Sequence, residues 1–245
     1  MNIFGHRGAA SLAPENTLLS FNKALSCGVD GLECDLQLSR DREVVICHDE
    51  RVDRTSNGVG WIKDFTLKGL KELDFGSWFP GSTRQEIPTL RELLDMLQGI
   101  NVELNLEIKS GFVSYPGLGQ QVVQLLYEYG RLRSSILSSF DHQAVFELKQ
   151  LYPETRTAIL YDCAPVQPWL YARSLGAQYI HPAWYYVTPA LVAEAAGVQI
   201  GVNTWTVNDE FAAEKVRSAR VERIITDFPQ HFRKNEQGEA LWVGR

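Results

Sequence analysis

Two histidines, three acids and two basic side chains fall in an order that suits chemistry at a phosphate. His6 closes a short apolar run, Ile3–His6, and is followed by Arg7 and Gly8. His48 closes another, Val44–His48, and is followed by Asp49. In the run Gly31–Leu38, alternation puts Glu33, Asp35 and Gln37 on one face and Leu32, Cys34, Leu36 and Leu38 on the other. Further on, Glu103, Asn105, Glu107 and Lys109 share a face opposite Val102, Leu104, Leu106 and Ile108. A strand buried on both faces normally reads apolar throughout, so these acid-lined faces need a physical reason. Unpaired carboxylates in an interior are strongly unfavourable. Two arrangements relieve them. One is a salt-bridge network with Arg7 and Lys109. The other, more economical, is a hard divalent cation held by Glu33, Asp35 and Glu107. An all-oxygen donor set suits magnesium, calcium or manganese better than zinc. Two imidazoles beside such a centre supply a base and an acid near neutral pH. Arg7, Lys109 and the cation would offset charge growing on phosphoryl oxygens.

The elements that must position these groups alternate. Further strand candidates are Ser135–Ser138, Arg156–Leu160, Gln178–Ile180, Gln199–Asn203 and Arg223–Thr226. Helical patterns lie between them: Thr17–Cys27, Leu90–Leu97, Leu118–Tyr129, His142–Leu151, Pro165–Leu175, Pro189–Ala196 and Glu210–Ala219. Asn16, Asp141 and Thr188-Pro189 read as helix starts, and Gly28, Gly130, Gly176 and Gly197 as stops. Repeated β-then-α units imply a parallel sheet with right-handed crossovers. About eight such units in about 250 residues predict an α/β TIM (β/α)8 barrel. His6 and His48 then sit at strand C-terminal ends, the face where such barrels carry active sites. A doubly wound open sheet is the alternative, weakened because no Gly-x-Gly-x-x-Gly follows the first strand.

One stretch, about residues 50–88, lacks a long periodic run and is rich in Gly, Asp, Trp and Phe. A connection this long inside a barrel is expected to be a small capping insertion over the mouth, within one domain of residues 1–245. Trp61, Trp78 and Phe79 there serve either substrate or local packing. Trp205, just past a strand end, suits the core or a wall for a substrate's apolar face. His181, before Pro182, could reach the mouth. His142 reads as a helix start, His231 as solvated, and the polar tail Arg233–Arg245 as peripheral.

Composition narrows the classes. The chain has 245 residues, 44% hydrophobic and 22% charged, enough for one large core. A net charge of -6 argues against nucleic acid, which needs a basic stripe, but not against a small phosphate ester. No secretory leader is visible at Met1–Gly8, and no run of about 18 apolar residues predicts a membrane span. Cys27, Cys34, Cys47 and Cys163 form no Cys-x-x-Cys and read as reduced thiols in or near a core. A cytoplasmic protein is expected.

The ordered set His6-Arg7-Gly8, Ala13-Pro14-Glu15-Asn16-Thr17, Glu33-Cys34-Asp35, His48-Asp49 and Glu107-Ile108-Lys109 resembles the glycerophosphodiester phosphodiesterase family. Arg54-Thr55-Ser56-Asn57-Gly58, Asn203-Thr204-Trp205-Thr206 and Thr226-Asp227-Phe228-Pro229 are similar to further segments of that family, so the likeness spans nearly the whole chain. The resemblance implies a TIM barrel with its insertion between the second strand and second helix. It implies one divalent cation on Glu33, Asp35 and Glu107, and magnesium is favoured in the cytoplasm. It implies hydrolysis of glycerophosphodiesters to glycerol 3-phosphate and an alcohol. In the implied mechanism the glycerol 2-hydroxyl, acidified by the metal, attacks phosphorus. One of His6 and His48 takes its proton while the other protonates the departing alcohol. Water then opens the cyclic phosphate. Arg7 and Lys109 would hold the phosphoryl oxygens, and Glu15 would be a hydrogen-bonding support. Asp49 would orient a neighbour or cap its loop. Two rivals stay open: a phosphodiesterase acting on lysophospholipids, and a non-catalytic barrel that binds polyol phosphates.

Overall fold

Eight parallel strands close into a barrel in the computed structural model, which describes residues 1–234 and 240–244. They are β1 (Asn2–Gly5), β2 (Gly31–Leu38), β4 (Glu103–Ile108), β5 (Ser135–Ser139), β6 (Arg156–Tyr161), β7 (Tyr179–Pro182), β8 (Gly201–Thr204) and β9 (Arg223–Thr226). Closure is made by β1, which pairs with β9 from Asn2↔Arg223 to Gly5↔Thr226 and with β2 at Phe4↔Gly31. An open doubly wound sheet is thereby excluded. Gly31 is required at that seam, because a Cβ there would lie 2.1 Å from the Phe4 ring.

Helices α1 (Leu18–Ser26), α3 (Leu90–Met96), α4 (Leu118–Glu128), α5 (His142–Leu151), α6 (Pro168–Ser174), α7 (Pro189–Gly197) and α8 (Glu210–Ser218) follow successive barrel strands. Each begins near the strand C-termini. Thr17, Thr89, Asp141, Thr188 and Asp209 cap α1, α3, α5, α7 and α8 by accepting from a backbone N–H of the first turn. Their apolar faces and the outward residues of the strands form the main core, with Leu36, Leu104, Leu106, Val122 and Ile180 wholly buried. No helix among the described residues is long and apolar enough to cross a membrane.

Three features depart from the sequence reading or add to it. The run at Val44 is β3 (Val44–Ile46), antiparallel to β2 in the register Leu36↔Ile46 and Leu38↔Val44. It is not a barrel strand. The chain passes the top of β2, turns back, and lowers His48 toward the mouth. The segment after it contains a short helix, α2 (Leu67–Glu72), too brief to show a period. Val45, Cys47, Val52, Ile62, Leu70, Phe75 and Ile87 form a second small core there. Lastly, β9 leads to a hairpin of β10 (Phe232–Lys234) and β11 (Ala240–Trp242) instead of a helix. Phe232 and Ala240 are buried, so the tail is attached to the body through its described part; residues 235–239 and 245 lie outside the described residues. His231, expected to be solvated, stacks on Phe228 and meets Trp242 edge-on.

The barrel interior is layered. At the lower end, Glu103 accepts from Arg156 Nη1 at 2.8 Å and from Arg223 Nε at 2.9 Å. Tyr179 receives Arg156 Nη2 at its hydroxyl and lies under the Arg223 guanidinium. Above this plug sit Phe4, Asn105, Ile136, His181, Asn203 and Ile225. Burial pushes the Glu103 carboxyl up, but the two arginines outweigh it and hold it below the ordinary value. A depressed carboxylate pKa stabilises the fold above the unfolded value and ceases to do so as pH falls through the folded one. Glu103→Gln should therefore cost about 1–3 kcal/mol at pH 7, by denaturant unfolding. The gap from wild type should close as pH drops below about 4; an equal gap at pH 7 and pH 3.5 would contradict this ionic role.

Candidate active site

His6 follows the last residue of β1, and the chain turns sharply after it. Arg7 (φ 50°) and Gly8 (φ 90°) both occupy the left-handed region. Gly8 is obligatory, since a Cβ would lie 2.4 Å from Ser20 Oγ. The turn aims the Arg7 backbone N–H at Glu33 Oε2, 2.9 Å away. Positive φ at a non-glycine residue stores strain, which is tolerated where surrounding contacts demand it.

Glu33 and Asp35 rise from β2, and Glu107 from β4, where Asp35 and Glu107 are register partners. One oxygen of each lies within 4.8 Å of the others, and all three are buried. The surrounding cations are few. Lys109 Nζ is 3.0 Å from Glu107 and 3.7 Å from Asp35, and Arg7 Nε is 3.4 Å from Asp35. The salt-bridge network considered from sequence is thus present, but it leaves negative charge over. Glu33 has His6 Nε2 at 3.9 Å and the Arg7 N–H. Burial first, and then the Asp35 charge, push the Glu33 carboxyl up to about 8. Burial and Asp35 likewise raise Glu107. Asp35 is held below its ordinary range, because Arg7, His48, Lys109 and the Asn16 amide outweigh its burial. Three converging carboxylates with too few partners form a donor set that fits a hard divalent cation.

Each histidine is held by a carboxylate at Nδ1. His6 Nδ1 is 2.7 Å from Asp227 Oδ1, and His48 Nδ1 is 2.7 Å from Asp49 Oδ1. A carboxylate only accepts, so Nδ1 carries the proton and Nε2 is left for exchange. Burial disfavours the His6 cation, but Asp227 and Glu33 outweigh it and its pKa rises. Burial dominates at His48, with Arg7 and Lys109 adding to it, and its pKa falls. Their surroundings thus shift the two imidazoles in opposite directions.

Glu15 accepts from Arg7 Nη1 at 2.7 Å and from Arg54 Nη1 and Nη2, both at 2.8 Å. Arg54 also grips Asp49, with Nε 2.7 Å from Oδ2. Its guanidinium therefore joins the insertion, the loop after β1 and the support of His48. Trp205 follows β8; its indole N–H donates to the His181 carbonyl at 2.8 Å and its ring meets Phe140 edge-on. His6, Arg7, Glu15, Glu33, Asp35, His48, Glu107 and Lys109 are thus brought together, and Trp205 stands at the rim.

His181 does not reach the mouth. It is wholly buried inside the barrel, with Nε2 2.8 Å from Asn203 Nδ2. Burial and Arg223 push its pKa down to about 3, which keeps it neutral. Trp61 stacks on Phe112 of the loop after β4, at 5.6 Å and 8° between planes. Trp78 and Phe79 pack edge-to-face on each other. Of the cysteines, Cys34 and Cys47 are buried, whereas Cys163 is exposed. Sequence reasoning missed Asp227, Asn16 and Arg54. Asp227 directly follows the end of β9, a position that strand-end logic could have flagged. Asn16 reads as a helix start and as part of the family-like segment, with no role in the site, yet it donates to Asp35 at 2.8 Å. Arg54 carried no periodic signal.

The mouth of this closed parallel barrel gathers two imidazoles and a buried acid cluster, an inventory suited to hydrolytic chemistry on phosphate esters. Residues 6–231 match the glycerophosphoryl diester phosphodiesterase family. A glycerophosphodiester phosphodiesterase from Caldanaerobacter subterraneus subsp. tengcongensis is 38% identical over 93% of this chain and 94% of its own length. One from Bacillus altitudinis is 32% identical over 93% and 94%. Among solved structures, an Oleispira antarctica phosphodiesterase in complex with the product sn-glycerol-3-phosphate superposes with a TM-score of 0.87, at 29% identity over 94% of each chain. The chain belongs to the glycerophosphoryl diester phosphodiesterase family and is an enzyme, a phosphoric diester hydrolase of that kind.

If the three acids form a cation site, added MgCl2, MnCl2 or CaCl2 should raise the melting temperature of EDTA-treated protein. Binding at a hundredfold excess over Kd corresponds to about 2.7 kcal/mol. Glu107→Gln, which removes one charged ligand at constant shape, should lose most of that shift. No shift in the wild type with any of the three metals would refute the site.

Proposed function

We propose that this enzyme hydrolyses glycerophosphodiesters such as glycerophosphocholine and glycerophosphoethanolamine to sn-glycerol 3-phosphate and an alcohol. His6 and His48 act as its acid–base pair. The observation that carries this reading is the pairing of both imidazoles with carboxylates at Nδ1, beside a cluster of acids short of cations. The product seen in the Oleispira antarctica relative supports the substrate class.

Glu33, Asp35 and Glu107 would hold one divalent cation. Mg2+ is favoured, because hard oxygen donors suit it and the buried thiols Cys34 and Cys47 fit a reducing cytoplasm; Ca2+ and Mn2+ fit the same donors. Bound there, the cation supplies Lewis acidity that eases deprotonation of a substrate hydroxyl and offsets phosphoryl charge. Arg7 and Lys109 contribute positive charge to the phosphoryl oxygens. One imidazole removes the proton of the glycerol 2-hydroxyl as its oxygen bonds to phosphorus. The other protonates the alcohol oxygen as its bond to phosphorus breaks. A cyclic phosphate results, and water opens it with the two imidazoles exchanging roles. Asp227 and Asp49 hold the tautomers throughout. Glu15 keeps Arg7 extended toward Asp35, and the Trp205 ring walls the apolar side of the substrate.

His6→Ala and His48→Ala should each lower kcat by about 100-fold or more with folding intact. The assay is release of glycerol 3-phosphate from glycerophosphocholine, with EDTA and then with restored Mg2+. Unchanged turnover in either variant removes that residue from the chemistry. Absence of release under every metal condition would move the reading to lysophospholipid substrates.

A further inference from the structure

Gln37 is wholly buried near the end of β2, on the face that carries Glu33 and Asp35. Its side-chain nitrogen reaches three successive main-chain carbonyls: Cys47 at 2.7 Å, His48 at 3.3 Å and Asp49 at 2.7 Å. Carbonyl oxygens only accept, so the orientation of the amide is dictated by its surroundings. Its own oxygen accepts from the Tyr115 hydroxyl at 2.6 Å. Tyr115 lies in the loop after β4, the same loop that Lys109 begins. A buried amide is unfavourable unless it is satisfied, and an apolar side chain of similar volume would fill the same space. What the amide adds is a fixed path for the segment carrying His48. That segment needs fixing, because β3 ends at Ile46 and no ladder runs through residues 48 and 49.

We propose that Gln37, locked by Tyr115, is a positioning residue for His48 that acts through the main chain. Asp49 sets the tautomer of the ring, and Gln37 sets where the ring starts from. The same lock ties the His48 segment to the loop that begins at Lys109, so the two sides of the mouth share one support. This inference rests on the acid–base reading of His48.

The test is steady-state turnover of glycerophosphocholine at saturating Mg2+ by the full chain, with Gln37→Met and Tyr115→Phe made alone and in a His48→Ala background. Gln37→Met should lower kcat about 10- to 100-fold, the scale of a small misplacement of a reacting group, with KM and half-saturating Mg2+ held within about threefold. Tyr115→Phe should lower kcat about 3- to 10-fold in the same pattern. In the His48→Ala background, neither should reduce the residual rate more than about twofold, because residues acting as a unit are not additive. Unchanged kcat in Gln37→Met, or the same fractional loss with and without His48, overturns the inference. If Gln37→Met does not fold, Tyr115→Phe decides: a loss confined to kcat supports the lock, and an unchanged kcat overturns it. Full activity in His48→Ala would remove His48 from the chemistry, and the inference with it.

Discussion

Three carboxylates crowded within 4.8 Å in a buried mouth are the constraint around which the upper half of the barrel is organised. Their mutual repulsion opposes folding, and each nearby group reduces it. Arg7 turns into the left-handed region and gives Glu33 a backbone N–H. Lys109 leans onto Glu107, and Asn16, also left-handed, donates to Asp35. Even so, Glu33 retains a high proton affinity. The fold therefore leaves these acids with a deficit of cationic partners, in a donor set that fits a divalent cation. The opposite end shows that the deficit is not a general property of this interior. There a single carboxylate, Glu103, is shared by two arginines and is fully satisfied.

The two imidazoles are built by different means. His6 sits at the end of a barrel strand, and its supporting Asp227 at the end of the neighbouring one, so barrel closure alone brings them together. His48 belongs to an excursion that doubles back antiparallel to β2. It depends on local fastening by Asp49, Arg54 and Gln37. One histidine is placed by topology and the other by hydrogen bonds.

Much of this was legible beforehand, for physical reasons that also mark where legibility stops. Strands β2 and β9 and helix α5 fall where their apolar periods put them, because alternation and capping are local signals. The acid cluster was visible because polar residues on one face of a buried strand are anomalous. Strand direction is not encoded in period, so β3 read like a barrel strand. Depth along a strand is not encoded either. His181, whose place at a strand end suggests the mouth, is instead wholly buried below the opening. Partners separated by long chain distances were invisible, as with His6 and Asp227 across 221 positions. The short α2 has too few turns to declare itself.

The ionic plug of Glu103, Arg156, Arg223 and Tyr179 fills the lower end, so the barrel is a vessel with one door. Whatever the order of bond breaking, substrate, water and both products all pass through the same opening. The rim of that opening is built from the insertion and the loops after the strands, with Arg54 bolting two of these parts together. Traffic through the door is then a property of the rim and not of the barrel. What the mouth admits can therefore be altered by exchanging rim segments, while the acids and imidazoles below keep their places.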